Sequence, residues 1–131
     1  MPDSLPTLPS LTAVEATVRL YLDGLHEGDA EKIARAFHPC AHLYSAREGQ
    51  VADLPRADWL AMIGKRPSPA AQGAPREGRI LAVDFADDSL ACVKVDCAVP
   101  PRRFTDYLLL LNTAEGWRIV AKGFTTRPPA G

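Results

Sequence analysis

The segment Tyr21–Leu43, YLDGLHEGDAEKIARAFHPCAHL, decides the fold class of this chain. It predicts the end of an amphipathic helix and then a tight turn at Gly28 and Asp29, because glycine suits a helix C-terminus and aspartate caps the next helix. A second short helix runs from about Ala30 to Phe37 and ends there, because Pro39 disfavours helical geometry in the residue before it. A strand begins directly afterwards, so this segment connects two helices to a sheet.

The residues before this segment complete the first helix. Thr12 and Glu15 match the capping-box pattern, in which two side chains satisfy free backbone N–H groups, so the helix is predicted to start at Ala13. An apolar stripe at helical spacing then follows one face. Its members are Val14, Val18, Tyr21, Leu22 and Leu25.

Downstream, the pattern changes from helices to strands. A short strand is predicted over Ala41–Ser45, and a third helix over about Pro55–Ile63 with Gly64 just beyond its end. Residues 65–78 form a long loop. Four strands complete the chain, and they span residues 79–85, 90–99, 104–111 and 117–125. Helices first and consecutive antiparallel strands afterwards indicate an α+β fold rather than alternating βαβ units.

Length and charge limit the classes of function. The chain has 131 residues, which fits one domain over residues 12–126, with a flexible leader over 1–11 and a flexible tail over 127–131. Its 15 basic and 16 acidic residues are dispersed. This argues against nucleic-acid and membrane-surface partners, which require a clustered basic patch. No apolar run reaches the roughly 18 residues of a membrane-spanning helix.

Cysteine usage and missing motifs narrow the chemistry. The three cysteines, Cys40, Cys92 and Cys97, are odd in number and lack CxxC spacing, which predicts reduced thiols in a cytoplasmic protein. The chain has neither a GxSxG nucleophile motif nor a glycine-rich phosphate loop. These absences argue against covalent catalysis and nucleotide hydrolysis. No cofactor is predicted.

The run Leu108–Leu111 predicts a strand that is apolar on both faces, and such a strand has to be covered on both faces. The three predicted helices can cover one face. We expect the other face to pack on the same sheet of a second copy, which gives a two-fold homodimer.

Two segments carry a resemblance to a known family. Residues 20–43, LYLDGLHEGDAEKIARAFHPCAHL, and residues 104–124, FTDYLLLLNTAEGWRIVAKGF, resemble the nuclear transport factor 2-like superfamily. Within it they look most like the branch named "putative lumazine-binding", near the SnoaL-like polyketide cyclases. The resemblance covers Thr12–Phe124. It implies a cystatin-like cone of curved antiparallel sheet and three helices, with an open pocket between them and a dimer across the outer face of the sheet.

Enzymes of this superfamily include a ketosteroid isomerase, scytalone dehydratase and polyketide cyclases, which use pocket acids, histidines or tyrosines for proton transfer. By the resemblance, Tyr21 corresponds to the oxyanion-binding tyrosine of the isomerase, although its place on the apolar stripe fits a core tyrosine equally well. The general base of the isomerase is an aspartate at the end of the first strand, and Ser45 stands near that place here. Because serine cannot act as a base without help, this departure argues against isomerase chemistry.

Asp106 is the carboxylate with the strongest claim to a role. It lies between Phe104 and Leu108 on a strand predicted to be central, and a buried carboxylate needs a partner. Lys122 on the next strand can supply one, but the sequence does not determine the register of the last hairpin. A structural salt bridge and a catalytic role for Asp106 therefore both stay open.

Other side chains extend the predicted site. Trp59 belongs to the third helix, which flanks the mouth of the cone in the family, and Tyr44 can add a polar tip to an apolar pocket. The string His38, Cys40, His42 is interrupted by a proline and has no further ligand cluster, so no metal site is predicted; His38 is expected to bond a carbonyl at a helix end. The predicted ligand-binding residues are Tyr21, His42, Tyr44, Trp59, Ile63 and Asp106, and the acid–base candidates among them are Asp106, His42 and Tyr21.

These observations predict a small-molecule-binding protein with one apolar pocket per subunit, of the lumazine-binding type. One alternative is a lyase, isomerase or cyclase, which needs at least two titratable groups that converge on the pocket. The other is a non-catalytic dimeric adaptor, which predicts a closed cavity and an exposed apolar patch. The identity of the ligand does not follow from the sequence.

Overall fold

The computed structural model describes residues 7–127. Within this range no helix is long and apolar enough to cross a membrane. The described part contains three helices and six strands, whose bounds are α1 Leu8–Glu27, α2 Ala30–Ala36, β1 Phe37–Arg47, β2 Gln50–Pro55, α3 Arg56–Lys65, β3 Gly78–Asp87, β4 Leu90–Val99, β5 Arg102–Thr113 and β6 Gly116–Arg127.

Helix α1 begins at Leu8, five residues before the predicted start at Ala13. Thr7 is its N-cap, because the Thr7 side chain accepts a hydrogen bond of 3.2 Å from the backbone N–H of Ser10. Thr12, the predicted cap, lies inside the helix. Residues 8–11 were predicted as part of a flexible leader and are helical. Residue 127, predicted as the start of a flexible tail, is the last residue of β6. Residues 1–6 of the predicted leader and 128–131 of the predicted tail lie outside the described residues.

The predicted turn between the first two helices is confirmed. Gly28 has a φ of 68°, and its backbone N–H donates to the carbonyl of Gly24. Asp29 caps α2, because its side chain accepts hydrogen bonds from the backbone N–H groups of Glu31 and Lys32. A Cβ on Gly24 would lie 2.5 Å from the Ile33 side chain, so glycine allows α1 and α2 to pack closely.

The six strands form one sheet in the order β2-β1-β6-β5-β4-β3. All neighbouring pairs are antiparallel except β1 and β6, which are parallel. The sheet is therefore mostly antiparallel, as predicted, and the parallel contact of β1 with β6 was not predicted. Strand β2 was not predicted, because its residues are exposed or half-buried and show no apolar alternation.

The core lies between the helices and one face of the sheet. The predicted apolar stripe of α1 is entirely buried, as is the inward row of β4 at Val93, Val95 and Cys97. On β5, Leu108 and Leu110 are fully buried, whereas Leu109 and Leu111 each keep 40% of their surface exposed. The helices therefore cover one face of this strand, and its other face is open to solvent in a single chain.

Candidate functional site

A cavity of about 400 Å³ lies between α1, α3 and the inner face of the sheet. This volume falls in the roughly 300–1,000 Å³ range of small-molecule sites. Much of the wall is apolar and comes from both helices and five strands, with Leu25, Leu43, Leu54, Trp59, Val99, Phe104 and Phe124 as its main members. Exposed residues at the ends of strands also line the cavity, so it opens to solvent.

Three polar side chains meet at the base of this cavity. The hydroxyl of Tyr21 donates a hydrogen bond of 2.5 Å to Oδ2 of Asp106. Nζ of Lys122 donates to the same hydroxyl at 2.7 Å and lies 3.7 Å from Oδ2 of Asp106. Tyr21 and Asp106 are fully buried and Lys122 is 6% exposed. The pairing of Asp106 with Lys122, which the sequence left open, is therefore present in the structure.

The register of β5 and β6 brings this ion pair together. Lys122 lies opposite Leu108, and Asp106 lies two residues along β5 on the same face. An irregularity in β6 between the partners of Leu109 and Leu110 inserts one extra residue. As a result, Ile119 and Lys122 both point inward although they are three residues apart.

Aromatic rings complete the environment of the Lys122 ammonium. Its Nζ lies 5.0 Å from the ring centre of Tyr21, 4.7 Å from that of Trp59 and 5.1 Å from that of Phe124. A cation within about 6 Å of an aromatic face is attracted to the ring electrons. The rings and Asp106 together compensate Lys122 for the loss of water.

Burial also fixes the protonation of two neighbours. It raises the pKa of Tyr21 well above the ordinary value for tyrosine, and the charge of Asp106 raises it further. Burial and Asp106 likewise raise the pKa of the Cys97 thiol to about 12. Both side chains are therefore neutral near pH 7, and both hydrogen bonds to Oδ2 of Asp106 come from protonated groups, with the Cys97 sulfur at 3.6 Å.

Only two of the predicted ligand-binding residues line the cavity, namely Tyr21 and Trp59. Asp106 does not line it and is connected to it through Tyr21 and Lys122. Ile63 is buried in the core, 2% exposed, without reaching the cavity. Ser45, which stands near the place of the isomerase base, is a lining residue.

His42 and Tyr44 lie on the opposite face of the sheet from the cavity. Alternation along β1 turns Leu43 and Ser45 towards the cavity and turns His42 and Tyr44 away from it. His42 instead contacts the Asp53 carboxylate at 2.5 Å, and its ring stacks on Tyr44 at a centre-to-centre distance of 6.0 Å. His42 is thus not an acid–base group of this cavity.

The histidine–cysteine string does not form a cluster either. His38 lies in β1, and its Nδ1 accepts a hydrogen bond from the backbone N–H of Cys40 rather than bonding a carbonyl at a helix end. Across residues 7–127, no group of three or more histidine, cysteine or acidic side chains is arranged to hold a metal ion.

Three arginines that were not predicted as site residues line the cavity: Arg47, Arg66 and Arg102. Two of them have a signal in the sequence. Arg47 continues the alternating row of Leu43 and Ser45, and Arg102 lies an even number of residues before Asp106 on the inward face of β5. Arg66 follows the end of α3, and no periodic pattern points to it.

The family profile described as "Putative lumazine-binding" matches residues 9–125 of the chain. None of the curated proteins compared with the chain is similar to it. Among solved structures, an NTF-2 like protein of unknown function from Silicibacter pomeroyi is 25% identical, with a TM-score of 0.73 over 91% of this chain and 97% of its own.

Two further structures have the same fold at lower identity. An NTF2-like protein of unknown function from Shewanella baltica is 21% identical, with a TM-score of 0.81 over 92% of this chain and 96% of its own. A ketosteroid isomerase-like protein from Erwinia carotovora is 14% identical, with a TM-score of 0.68 over 94% of this chain and all of its own. The family match covers most of the chain, and the chain therefore belongs to the family described as putative lumazine-binding, within the nuclear transport factor 2-like superfamily.

Proposed function

We propose that this protein binds a small organic molecule in the cavity between its helices and its sheet. The observation that carries this proposal is an open cavity of about 400 Å³ in which apolar side chains surround one buried cation, Lys122, at the base, while the other charged side chains stand at the mouth. Such a combination of apolar walls and few polar groups is typical of ligand sites. The family description, with lumazine as a named ligand type, supports the same function.

A thermal-shift screen with flavin-like, pterin-like, steroid and polyketide compounds tests this proposal. Because a ligand that binds only the folded state stabilises it by mass action, one chemical class should raise the melting temperature in a concentration-dependent way. A Ser45→Trp variant, which fills the cavity, should abolish the shift. Val51→Trp is the matched control, because Val51 is 74% exposed and lies outside the cavity.

Two results would contradict ligand binding in this cavity. One is a flat response of the wild-type protein to every class of compound. The other is a Ser45→Trp protein that binds as well as the Val51→Trp control. A flat response would favour the non-catalytic adaptor, for which the next step is a search for protein partners.

One observation favours the enzyme alternative, a lyase, isomerase or cyclase that uses general acid–base chemistry. The hydrogen bonds from Lys122 to Tyr21 and from Tyr21 to Asp106 connect an amine at the cavity wall to a buried carboxylate. A chain of this kind can pass a proton between a bound molecule and the protein interior. Ligand binding remains the first proposal, because it requires only the apolar walls and the Lys122 cation.

Deuterium exchange distinguishes the enzyme from the binder. Each compound that binds in the screen is incubated with the protein in D₂O, and NMR follows its most acidic C–H group. An enzyme should accelerate the exchange over buffer alone, and Lys122→Met should remove the acceleration. Exchange at the buffer rate for every bound compound would exclude proton abstraction as the function.

We also propose that two copies associate through the outer face of the sheet. Tyr107, Leu109 and Leu111 lie side by side on the outer face of β5 and are 53%, 40% and 40% exposed. Tyr44 on β1 adds to the same face. Solvent-exposed apolar side chains at the middle of a sheet indicate a contact surface, and a second copy offers a self-complementary one.

Sedimentation velocity at micromolar concentration tests the association. The wild-type protein should sediment as a dimer, and Leu109→Lys should sediment as a monomer because it places a charge in the contact. Leu8→Gln, at a 75% exposed position on α1, is the control and should stay dimeric. A wild-type protein that is monomeric throughout the concentration series would refute the dimer.

A further inference from the structure

The cavity carries positive charge in addition to that of Lys122 at its base. Four cationic side chains line it, and no aspartate or glutamate is among the described lining residues. Lys122 is matched by Asp106 at 3.7 Å. The guanidinium groups of Arg47, Arg66 and Arg102 therefore remain without a carboxylate inside the cavity.

These three arginines converge from separate elements. Arg47 is the last residue of β1, Arg66 follows α3, and Arg102 is the first residue of β5. Because β1 runs parallel to β6 and β5 runs antiparallel to it, the end of β1 and the start of β5 lie at the same end of the sheet. Arg47 and Arg102 thus stand at one end of the cavity, and Arg66 is close enough to Arg102 to be affected by its charge. All three are exposed or half-buried.

Elsewhere, several arginines of the protein pair with carboxylates. These pairs are Arg76 with Asp23, Arg103 with Glu77, and Arg127 with Asp96. Within residues 7–127, the side chains of Arg47, Arg66 and Arg102 make no ion pair or hydrogen bond. Arg19, Arg35 and Arg79 also lack a partner there, but all three are exposed and do not line the cavity.

Arg66 shows the electrostatic cost of this arrangement. Burial lowers the pKa of its guanidinium group from the ordinary value; Tyr21 opposes this effect and the positive charge of Arg102 adds to it. Two like charges thus lie near each other at the edge of an apolar cavity. A bound anion would relieve both the repulsion and the desolvation of Arg66.

We propose that the ligand is an organic anion, with an apolar ring body against the aromatic wall of Trp59 and Phe124 and a carboxylate held by Arg66 and Arg102. This inference rests on the proposed function, namely that the cavity binds a small molecule. Both rings line the cavity and lie 4.7 and 5.1 Å from the Lys122 ammonium, so they offer an aromatic wall beside this cation against which a planar body can pack. A guanidinium group matches a carboxylate in shape and can bind both of its oxygens. Arg47 adds positive potential at the entrance.

Matched acids and amides test the charge preference at constant shape. The probes are benzoate, 2-naphthoate and anthracene-9-carboxylate, each compared with its primary amide by isothermal titration calorimetry. Because a hydrogen bond to a charged group is stronger than one to a neutral group, the best-fitting acid should bind at least about tenfold more tightly than its amide. Raising the salt concentration should weaken the binding of the acid more than the binding of the amide.

Variants assign the preference to the arginines. Arg66→Met and Arg102→Met, which keep much of the side-chain length, should each reduce the ratio of acid to amide affinity several-fold, and the double variant should bring it close to one. Arg19→Met removes a positive charge from α1 outside the cavity and should leave the ratio unchanged. A circular dichroism spectrum and a melting curve for each variant establish that it is folded.

The outcomes separate this inference from the function on which it rests. Equal affinity for acid and amide would overturn the proposal that the ligand is an anion, and would leave the proposal of ligand binding in place. Absence of binding by all six probes would count against both. If 2-naphthyl phosphate binds more than tenfold tighter than 2-naphthoate, the carboxylate is the wrong anion and a phosphate ester replaces it.

Discussion

The hydroxyl of Tyr21 accepts one hydrogen bond from Lys122 and donates its proton to Asp106. A tyrosine that stabilises an oxyanion has to donate that proton to the ligand. The geometry of Tyr21 therefore differs from the role that the family resemblance implies. The Lys122 amine has further N–H donors, and it is the polar group through which the base of the cavity can contact a ligand.

The buried pair of Asp106 and Lys122 should make a large contribution to stability. Asp106→Asn or Lys122→Met leaves one charge buried without its partner, so each should lower the free energy of unfolding by about 3–5 kcal/mol. The double variant Asp106→Asn/Lys122→Met should cost clearly less than the sum of the two. Urea unfolding at pH 7 measures all three. Additive effects would mean that the two side chains do not interact in the folded protein.

The raised pKa of Cys97 predicts a loss of stability in base. The thiol ionises near pH 9 in the unfolded chain and at about pH 12 in the folded protein, so its contribution is complete below pH 9 and is lost between these values. The expected slope is about 1.4 kcal/mol per pH unit. In urea unfolding between pH 9 and 10.5, the free energy of unfolding of Cys97→Ala should therefore decline less steeply than that of the wild type. The variant starts from a lower stability. Parallel curves would contradict this account.

The sequence was sufficient for those site residues whose environment follows from periodicity. Tyr21 lies on an apolar helical stripe, and Asp106 is flanked by apolar neighbours on a central strand. The pairing of Lys122 with Asp106 could be suggested but not predicted, because an extra residue in β6 changes which side chains point inward. The position of Arg66 could not be predicted, because this residue lies at the start of a loop that has no repeating sequence pattern.

At the scale of elements, the helices and the long strands of the sheet were predictable and one edge was not. Strand β4 spans Leu90–Val99, as predicted, because its alternation is regular. Strand β2 was missed because an exposed edge strand has no buried row to mark it. The parallel pairing of β1 with β6 joins residues about eighty positions apart, and local patterns carry no information about such a contact.

The start of α1 offers a matched pair of variants. Thr7→Ala removes the N-cap hydrogen bond and should lower the free energy of unfolding by about 1 kcal/mol. Thr12→Ala replaces an exposed residue inside the helix with a better helix former, and should raise it by a few tenths of a kcal/mol. Chemical denaturation of both variants provides the comparison. A larger loss of stability for Thr12→Ala than for Thr7→Ala would indicate that the helix starts at the capping box of Thr12.

At the scale of the whole molecule, the order of the strands predicts where the native state opens first. Strands β5 and β6 lie inside the sheet, whereas β2 and β3 form its edges. Hydrogen–deuterium exchange followed by mass spectrometry should show the strongest protection in β5 and β6, and the weakest in β2 and in the loop over residues 66–77. Protection of β2 equal to that of β6 would contradict this order and would indicate that another chain covers the β2 edge.

The positions of the three arginines have a consequence for how this protein can evolve. They stand at the ends of elements or in a loop, where substitutions cost little stability. Lys122, Tyr21 and Asp106, by contrast, are tied into the core. Single mutations at the mouth could therefore exchange one class of ligand for another while the scaffold stays intact, so relatives with nearly superimposable backbones can diverge in what they bind.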